Sequence, residues 1–550
     1  MSPTTNPRAV RGLAVTAAVL AATTALTSCG VVRDLRGERE APETENVTET
    51  VDEPRDEEVD ADFPYTREGP IFLDTGQDVE TTFSITGLER TDDYMVLHYE
   101  STIRASLRGN NTILGLPPIL IDPVSGVTAG PLQDGDDVPY GSVPPRSDDL
   151  FPVETDATNV HRLYFPRFPD DVTELTYVGS GLGAMTGLPI QDVDEERPDP
   201  ENPNGADMGD EAGDPSPQAG DIVEFENRRP DGDQVEFIGG LESFVDSETT
   251  STTRDGDTET VALKADVMFE FDEAELTEEA EGVVREAAAS VSNNIDPDRR
   301  EITVIGHTDG KGTDDYNESL SEERAETVRD VLEEELGDEH TFGLEGRGAE
   351  EPVAEEGGSD DEEARARNRR VEFEYPVDPA DTDGQSAERD EDVLGSSDRN
   401  VFPPADFVEE ADAEVVATET YEDVQLDVHP LVRDGAYVIS TVSLTNTSDD
   451  PLTPDLTGDD GVLPGAPADF TDGTLGGFQL LEPDSDLARY ITCFQFGEDN
   501  TGPFADEVHE MQPGNSYQLI AVFSAPPAEA DEMTLRAGPF GEIENVPFSN

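Results

Sequence analysis

Long acidic segments divide this chain and limit how much of it can share one hydrophobic core. Asp and Glu number 128 against 34 Lys and Arg, which gives a formal net charge of −94. Three stretches rich in Asp, Glu, Pro and Gly, at 29–63, 192–261 and 377–414, carry too little apolar surface to form a core. We therefore predict a multidomain chain whose blocks are joined by disordered acidic linkers, the second of which contains short strands.

The same charge and the residue pattern exclude several partners and chemistries. A strongly anionic chain is repelled by phosphate backbones, so nucleic acid is not an expected partner. No group of His, Cys and carboxylate residues has the spacing of a zinc site, and the sequence contains no Gly-x-Ser-x-Gly nucleophile motif. Paired carboxylates are so abundant that no pair identifies a glycosidase. We predict no catalytic residue, no metal site, no cofactor and no enzymatic activity.

The N-terminus has the features of a targeting segment. Two arginines precede an apolar stretch at 12–26, which is shorter than the ~20 residues of a membrane-spanning helix and fits a secretory signal. The run Leu26-Thr27-Ser28-Cys29-Gly30 resembles the lipobox of bacterial lipoproteins, in which the cysteine is lipidated and the preceding peptide is removed. We predict a signal peptide at 1–28 and lipidation, including palmitate, at Cys29. An ordinary secretory signal with an incidental cysteine is the alternative.

Residues 64–191 and 415–550, here the first and the last β block, are predicted to be mainly β. Short apolar runs alternate with Pro, Gly and Asp turns, and no helical period is visible. Leu88-x-Arg90-x-x-x-Tyr94-x-Val96 parallels Leu431-x-Arg433-x-x-x-Tyr437-x-Ile439, and the stretch from Leu163 to Leu175 loosely parallels that from Leu519 to Leu535. We predict two Ig-like antiparallel sandwiches. Whether they are diverged repeats stays open.

Cys493 is the only cysteine outside the targeting segment, so the mature chain cannot form an internal disulfide framework. It lies in an apolar, strand-like run, which favours a buried core thiol over a reactive or cross-linking one.

Residues 262–376, here the middle block, alternate strand and helix patterns. The pattern predicts a β-α-β-α-β-β order, an α+β sandwich with its helices on one face of the sheet. The predicted elements are a strand at Val267–Phe271, a helix capped by Thr277, a strand at Ile302–Ile305, a helix capped by Ser321, and strands at Phe342–Leu344 and Val371–Tyr375.

Several motifs of the middle block lie in a family-specific order. They are Phe269-x-Phe271-Asp272, then Gly306-His307-Thr308-Asp309-x-x-Gly312-x-x-x-Tyr316-Asn317-x-x-Leu320-Ser321-x-x-Arg324-Ala325-x-x-Val328, then Gly346-x-Gly348-x-x-x-Pro352 and Asn368-Arg369-Arg370-Val371. In these motifs the block resembles the OmpA C-terminal family, which includes Pal and the tail of MotB. Arg347 replaces the usual aromatic residue and Ala364 the usual glycine. The loop at 355–363 is unusually acidic and long for the family. The resemblance covers about a fifth of the chain.

The resemblance implies a ligand, the meso-diaminopimelate side chain of a peptidoglycan stem peptide, and a set of binding residues. This side chain ends in an amino acid centre with one ammonium and one carboxylate. By residue matching, Asp309 receives the ammonium and Arg324 the carboxylate, which a planar guanidinium binds through two bonds. The residues implied to line the pocket are Thr308, Asn317, Leu320 and Arg369.

Local roles for the same residues remain open. Asp309 can close a turn, Arg324 can pair with a helix neighbour, and Asn317 and Asn368 can act as caps. If Ser321 caps the helix, Arg324 lies three residues after the cap, near free backbone N–H groups, and is part-exposed.

Together these features predict a cell-envelope lipoprotein, exposed to the cell-wall side, whose partners are the membrane and peptidoglycan. Its predicted function is to tether one to the other non-covalently. The alternative is an envelope scaffold, or a regulator of cell-wall enzymes, whose β domains bind another protein. Either a sole or an outer membrane fits these features.

Overall fold

The structure, a computed structural model, describes most of the chain between residues 63 and 549. The described residues are 63–72, 78–104, 117–136, 138–142, 157–179, 181–199, 219–232, 234–255, 258–270, 272–354, 356–357, 361–377, 401–408, 414–456, 470–471, 473, 475–483, 485, 487–496 and 500–549. The predicted signal peptide, the predicted lipidation site Cys29 and most of the predicted linkers at 29–63 and 377–414 lie outside them. Helices within the described residues are all too short or too polar to cross a membrane.

The first β block consists of two sheets around a common core. Its strands are β1 (Tyr65–Phe72), β2 (Asp78–Arg90), β3 (Tyr94–Arg104), β4 (Ile119–Ile121), β5 (Val127–Ala129), β6 (Gly141–Ser142), β7 (Thr158–Pro166), β8 (Glu174–Val178), β9 (Ala184–Pro189) and β10 (Gln191–Asp192). Two short strands from the range predicted to be a linker, β11 (Ile222–Glu224) and β12 (Asn227–Arg228), pair with β7 and β6. One sheet contains the antiparallel order β1-β2-β3-β7 and the other β5-β4-β8-β9. Leu97 and Phe165 from the first sheet meet Leu120 and Leu175 from the second in one buried cluster.

Residues 238–264 form three regular strands inside the range predicted to be a linker. They are β13 (Ile238–Asp246), β14 (Thr250–Asp255) and β15 (Thr258–Lys264), paired antiparallel in sequence. Leu241, Phe244, Val261 and Leu263 are buried. The prediction of a linker extending to residue 261 is therefore wrong. The acidic composition of the whole range concealed the alternating apolar residues in its last third.

The middle block is an α+β unit, as predicted. Its further elements are α1 (Ala265–Met268), α2 (Glu278–Asn294), β16 (Glu301–Gly306), α3 (Asp314–Leu336), β17 (Thr341–Gly346), α4 (Asp361–Asn368) and β18 (Arg370–Pro376). The sheet order is β17-β16-β18-β15, with β17 parallel to β16 and β18 antiparallel to both of its neighbours. Val284, Val328 and Leu332 of α2 and α3 pack against Val304 and Phe373 of the sheet.

Three local predictions in the middle block need correction. The predicted strand at 267–271 begins as helix α1, with Val267 exposed, and β15 takes its place in the sheet. Phe271 lies outside the described residues. Ser321 is not a cap, because α3 begins at Asp314, two turns earlier. Helix α4 was not predicted. The cap at Thr277 is confirmed, since its side chain accepts a hydrogen bond from the Ala280 N–H.

The last β block again has two sheets. Its strands are β19 (Ala417–Tyr421), β20 (Val424–Val428), β21 (Val432–Asp434), β22 (Tyr437–Asn446), β23 (Phe478–Leu481), β24 (Ala488–Tyr490), β25 (Cys493–Phe496), β26 (Asn500–Pro503), β27 (Ser516–Ser524), β28 (Glu532–Ala537) and β29 (Glu542–Pro547). The orders are β19-β20-β22-β27 and β24-β23-β28-β29. Cys493 is a buried thiol, as predicted, and it packs with Phe244 and Tyr490.

The two β blocks share one strand order, which supports the repeat. Strands β1, β2, β3, β7 and β5, β4, β8, β9 correspond in turn to β19, β20, β22, β27 and β24, β23, β28, β29. Arg90 pairs with Met95 just as Arg433 pairs with Val438, in agreement with the first sequence match. A register shift lies between Leu175 and Tyr177 in β8 and at the equivalent place, between residues 533 and 535, in β28.

The shared bulge corrects the second sequence match and the predicted topology. Leu175 corresponds to Met533 rather than to Leu535, a slip of two residues that leaves every side chain on the same face and so escapes a pattern search. The strand order also differs from the Ig-like one that was expected. In immunoglobulin domains the third strand belongs to the second sheet, whereas β1, β2 and β3 here are neighbours.

Strand β13 joins the two β blocks. Gly240 pairs with Val127 of β5 and with Gln495 of β25, so these strands occupy its opposite edges. Outward-facing residues of the two blocks, including Ile121 and Val522, form a further buried cluster. Segment 401–408, from the predicted linker, docks between the blocks, and its Ala405 N–H donates to Asp434 Oδ1 at 2.9 Å. The two β blocks are therefore packed against each other, and part of the predicted linker takes part in that packing.

The two β blocks and β13 together are here called the β body. The middle block is fixed to the β body by a buried carboxylate as well as by the β14–β15 hairpin. Asp246 at the end of β13 is fully buried and lies 3.0 Å from Lys264 Nζ and 3.5 Å from Arg367 Nη1. Arg367 belongs to α4, two residues before Arg369. The candidate ligand residues therefore lie on a block that is held against the β body rather than on a free module.

Candidate functional site

The candidate site lies where β16 and β17 end against helix α3. Glycine is required at this contact, since a Cβ on Gly306 would lie 2.0 Å from the Ser321 carbonyl oxygen. A Cβ on Gly346 would lie 2.8 Å from the Glu318 carbonyl oxygen. Ser321, mid-helix, uses its hydroxyl to donate to the Glu318 carbonyl and to accept from the Gly348 N–H at 3.0 Å. The motif glycines thus bring the loop after β16 close to the surface of α3.

Asp309 lies in the loop that follows β16. Its Oδ1 accepts from the Lys311 N–H at 3.0 Å, which closes a short turn, while Oδ2 lies 2.6 Å from Arg369 Nη1. The side chain is only 14% exposed. The loop is held further by Asn317, whose Nδ2 donates to the Asp309 carbonyl at 3.3 Å. Asp309 therefore has the local turn role and is also part of a charged cluster.

Arg369 is surrounded by three carboxylates. Its Nε and Nη2 donate to both oxygens of Asp266 at 2.7 and 2.6 Å, its Nη1 donates to Asp309, and its Nη2 also contacts Glu362 at 3.3 Å. The hydrogen bond to Asp266 is the largest cause of a raised pKa of the Arg369 guanidinium. Glu362 also pairs with Arg365 Nη2 at 2.7 Å and lies 3.9 Å from Lys311 Nζ, so Asp266 and Asp309 are left to share the positive charge of Arg369. The cluster therefore favours an added cation.

Arg324 has the opposite environment. It is 5% exposed, its Nε donates to the Glu273 carbonyl at 3.0 Å, and its guanidinium lies 5.1 Å from the Phe269 ring centroid. Among the described residues it forms no ion pair within 4.0 Å. Burial lowers the pKa of Arg324, and the charge of Asp266 only partly opposes this. Its terminal nitrogens therefore favour an added anion.

The expected position of Arg324 was wrong in one respect. Because α3 begins at Asp314, Arg324 lies in the third turn, far from the free N–H groups of the helix start, and is buried rather than part-exposed. Arg324 also pins the turn after Phe269 to the helix, together with Thr327, whose Oγ1 donates to the Ala274 carbonyl at 2.8 Å. The positive charge at this point comes from the side chain alone.

The other predicted pocket residues lie on the same loop and helix face. Asn317, Leu320 and Arg324 are three and four residues apart, which places them along one side of α3. Thr308 and Asn317 are buried, and Leu320 is half-buried. Asn368 has the local role, because its side chain bonds the N–H groups of residues 353 and 354 and fixes the loop beneath the site.

Sequence reasoning missed two members of the charged cluster, Asp266 and Glu362. Asp266 was missed because the predicted strand began at Val267, one residue after it, which left Asp266 outside the first predicted element. Glu362 lies on the unpredicted helix α4. The sequence signal available for Asp266 is its position just before the Phe269 motif, and a helical turn there is what brings its carboxylate to Arg369.

Comparisons with known proteins identify the family of the middle block. The sequence model of the OmpA family matches residues 268–369. Outer membrane porin F of Pseudomonas aeruginosa is 40% identical over 117 residues, which are 21% of this chain and 32% of that protein. Outer membrane protein A of Bordetella avium is 37% identical over 114 residues, 21% of this chain and 56% of that protein. The match thus spans well under two thirds of either relative.

Solved structures match a similar share of the chain. The cell wall anchor of the T6SS from Pseudomonas aeruginosa is 30% identical, with 24% of this chain and 90% of that chain covered and a TM-score of 0.21. The peptidoglycan-associated lipoprotein from Burkholderia pseudomallei is 29% identical, with 20% and 86% covered and a TM-score of 0.17.

Proposed function

Because residues 268–369 form an OmpA family domain, we propose that this chain binds peptidoglycan non-covalently and tethers a membrane to the cell wall. The ligand is the free amino acid centre of a diaminopimelate stem peptide. The observation that carries the proposal is that an acid-rich cluster at Asp309 lies in the same block as the buried guanidinium of Arg324, which forms no ion pair within the described part of the chain. Two relatives named for the cell wall or peptidoglycan support this choice of ligand.

Charge complementarity supports the orientation of the ligand. The ammonium is placed beside Asp309 and Asp266, two carboxylates that share one guanidinium, that of Arg369. The ligand carboxylate pairs with the terminal nitrogens of Arg324. A buried charge is costly unless it is paired, so a carboxylate there gains more than it would at an exposed arginine.

The full chain should co-sediment with diaminopimelate-type cell wall. Its affinity for lysine-type wall should be lower by at least about tenfold. Lysine carries the side-chain ammonium but no side-chain carboxylate, so it loses the charge-assisted bonds to Arg324, worth ~1.5–3 kcal/mol. The measurement is the bound fraction in a pelleting assay against purified walls of both types. Equal recovery with and without wall would contradict the proposed function.

The membrane attachment is proposed to be a lipid on Cys29, with the polar segment after it as a spacer. A diacylglyceryl cysteine supplies the two acyl chains that stable anchoring needs. Cys29→Ala should leave the protein unlipidated and released from membranes, as followed by metabolic labelling with a fatty-acid analogue. The Ser28→Ala variant is the control, because it keeps a small residue directly before the cysteine. Label that persists in Cys29→Ala would rule out this site.

A further inference from the structure

Asp266 is a member of the charged cluster that the family motif does not mark. Its two carboxylate oxygens take Nε and Nη2 of Arg369, a bidentate pair that uses one whole edge of the guanidinium. Only Nη1 is left for Asp309, at 2.6 Å. Asp266 therefore fixes which part of Arg369 faces the ligand loop.

Asp266 also decides how much positive charge Asp309 experiences. Arg369 shares its charge between Asp266, Asp309 and the more distant Glu362. Without Asp266, the same guanidinium would have Asp309 as its nearest carboxylate, and the charge of Asp309 would be largely neutralised. A neutralised carboxylate attracts a ligand ammonium less strongly.

We propose that Asp266 is a positioning residue of the ligand site, which holds the Arg369 guanidinium so that Asp309 keeps its negative charge for the ligand ammonium. This inference rests on the proposed function. Asp266 also acts electrostatically on Arg324, so its charge affects both halves of the site. A purely structural role, in which Asp266 only fastens α1 to the turn before β18, predicts a different result.

The test uses the full chain and two stem tripeptides. One ends in meso-diaminopimelate, and the other ends in 2-aminopimelate, which keeps the side-chain carboxylate but lacks the ammonium. In Asp266→Asn, affinity for the first peptide should fall about tenfold, the size expected when a partner that orients a binding group is lost. Affinity for the second should change less than twofold. Binding is measured by calorimetry, and by ligand-observed NMR in the millimolar range.

A matched control and a rescue separate positioning from stability. Glu362→Gln removes the same charge from a more distant and 70% exposed contact of Arg369 and should change both affinities by less than twofold. Asp266→Glu should recover part of the lost affinity. Thermal melting of each variant shows whether the block is folded.

The outcomes distinguish the two proposals. If the unmodified chain binds neither peptide nor cell wall, the proposed function fails. If the unmodified chain binds, and folded Asp266→Asn binds both peptides with the affinities of the unmodified chain, the positioning role fails. The positioning role fails too if Asp266→Asn weakens both peptides equally, because that is the result of a structural role alone.

Discussion

Replacing Arg324 with alanine should reduce binding to diaminopimelate-type cell wall by ~30-fold or more. Truncating one partner of a desolvated ion pair costs ~2–5 kcal/mol, and 1.4 kcal/mol corresponds to tenfold in affinity. Arg324→Lys should not restore full binding, because an ammonium lacks the planar fork that holds a carboxylate through two bonds. The measurement is the dissociation constant for wall fragments or the stem tripeptide.

The structure adds a stability cost that an exposed arginine would not have. Arg324 is buried and its Nε bonds the Glu273 carbonyl, so its loss should cost ~1–3 kcal/mol of folding stability. Thr327→Val is the matched control, because Thr327 pins the same turn through Ala274 without contributing charge. It should lose stability but keep wall binding. Normal binding by folded Arg324→Ala would show that the ligand carboxylate is held elsewhere.

Replacing Asp434 with asparagine should stabilise the β body at neutral pH. Burial, together with the charges of nearby Glu174 and Asp122, raises the pKa of the Asp434 carboxyl to about 6, against hydrogen bonds from Thr176 and the Ala405 N–H. The carboxylate is buried and, among the described residues, pairs with no cation. Asparagine keeps an oxygen for the Ala405 N–H and offers its amide to the Thr176 hydroxyl.

The pH dependence has a definite sign. A folded pKa above the ordinary value of 3.8 means that the folded state binds the proton more tightly, so stability falls as the pH rises from about 3.8 to about 6. Above that window the buried anion costs up to ~3 kcal/mol, which Asp434→Asn removes. The gain at pH 5 should be about half of the gain at pH 7.5.

The measurement is the denaturation midpoint of the β body at pH 5.0 and 7.5, since the chain approaches zero net charge near its pI of about 4.1. Asp423→Asn, which removes an exposed carboxylate from the same block, should leave both midpoints nearly unchanged. A destabilised Asp434→Asn at pH 7.5, or a gain that does not grow with pH, would contradict the prediction. Asp506 is a second buried acid, with its pKa also raised by burial to about 6, and is left intact in both variants.

In the middle block, several of the predictions that depended only on residues close together in the sequence were confirmed. Thr277 caps α2 as expected, and β16 and β18 contain the alternating runs from which they were predicted. The helix containing Arg324 was placed two turns too late because Ser321 resembles a cap in sequence. Its hydroxyl instead serves a loop from another strand, at Gly348, which no sequence window contains.

The sequence by itself determined the OmpA family domain, its candidate ligand pair and the β character of the flanking blocks, because these follow from a long motif and from strand periodicity. Only the tertiary structure decided that β13 joins both β blocks, that Arg324 is buried, and that Asp266 holds Arg369. Each of these depends on residues far apart in the chain. Asp266 and Arg369 are 103 residues apart, and the charge that one imposes on the other exists only when folding brings them to 2.6 Å.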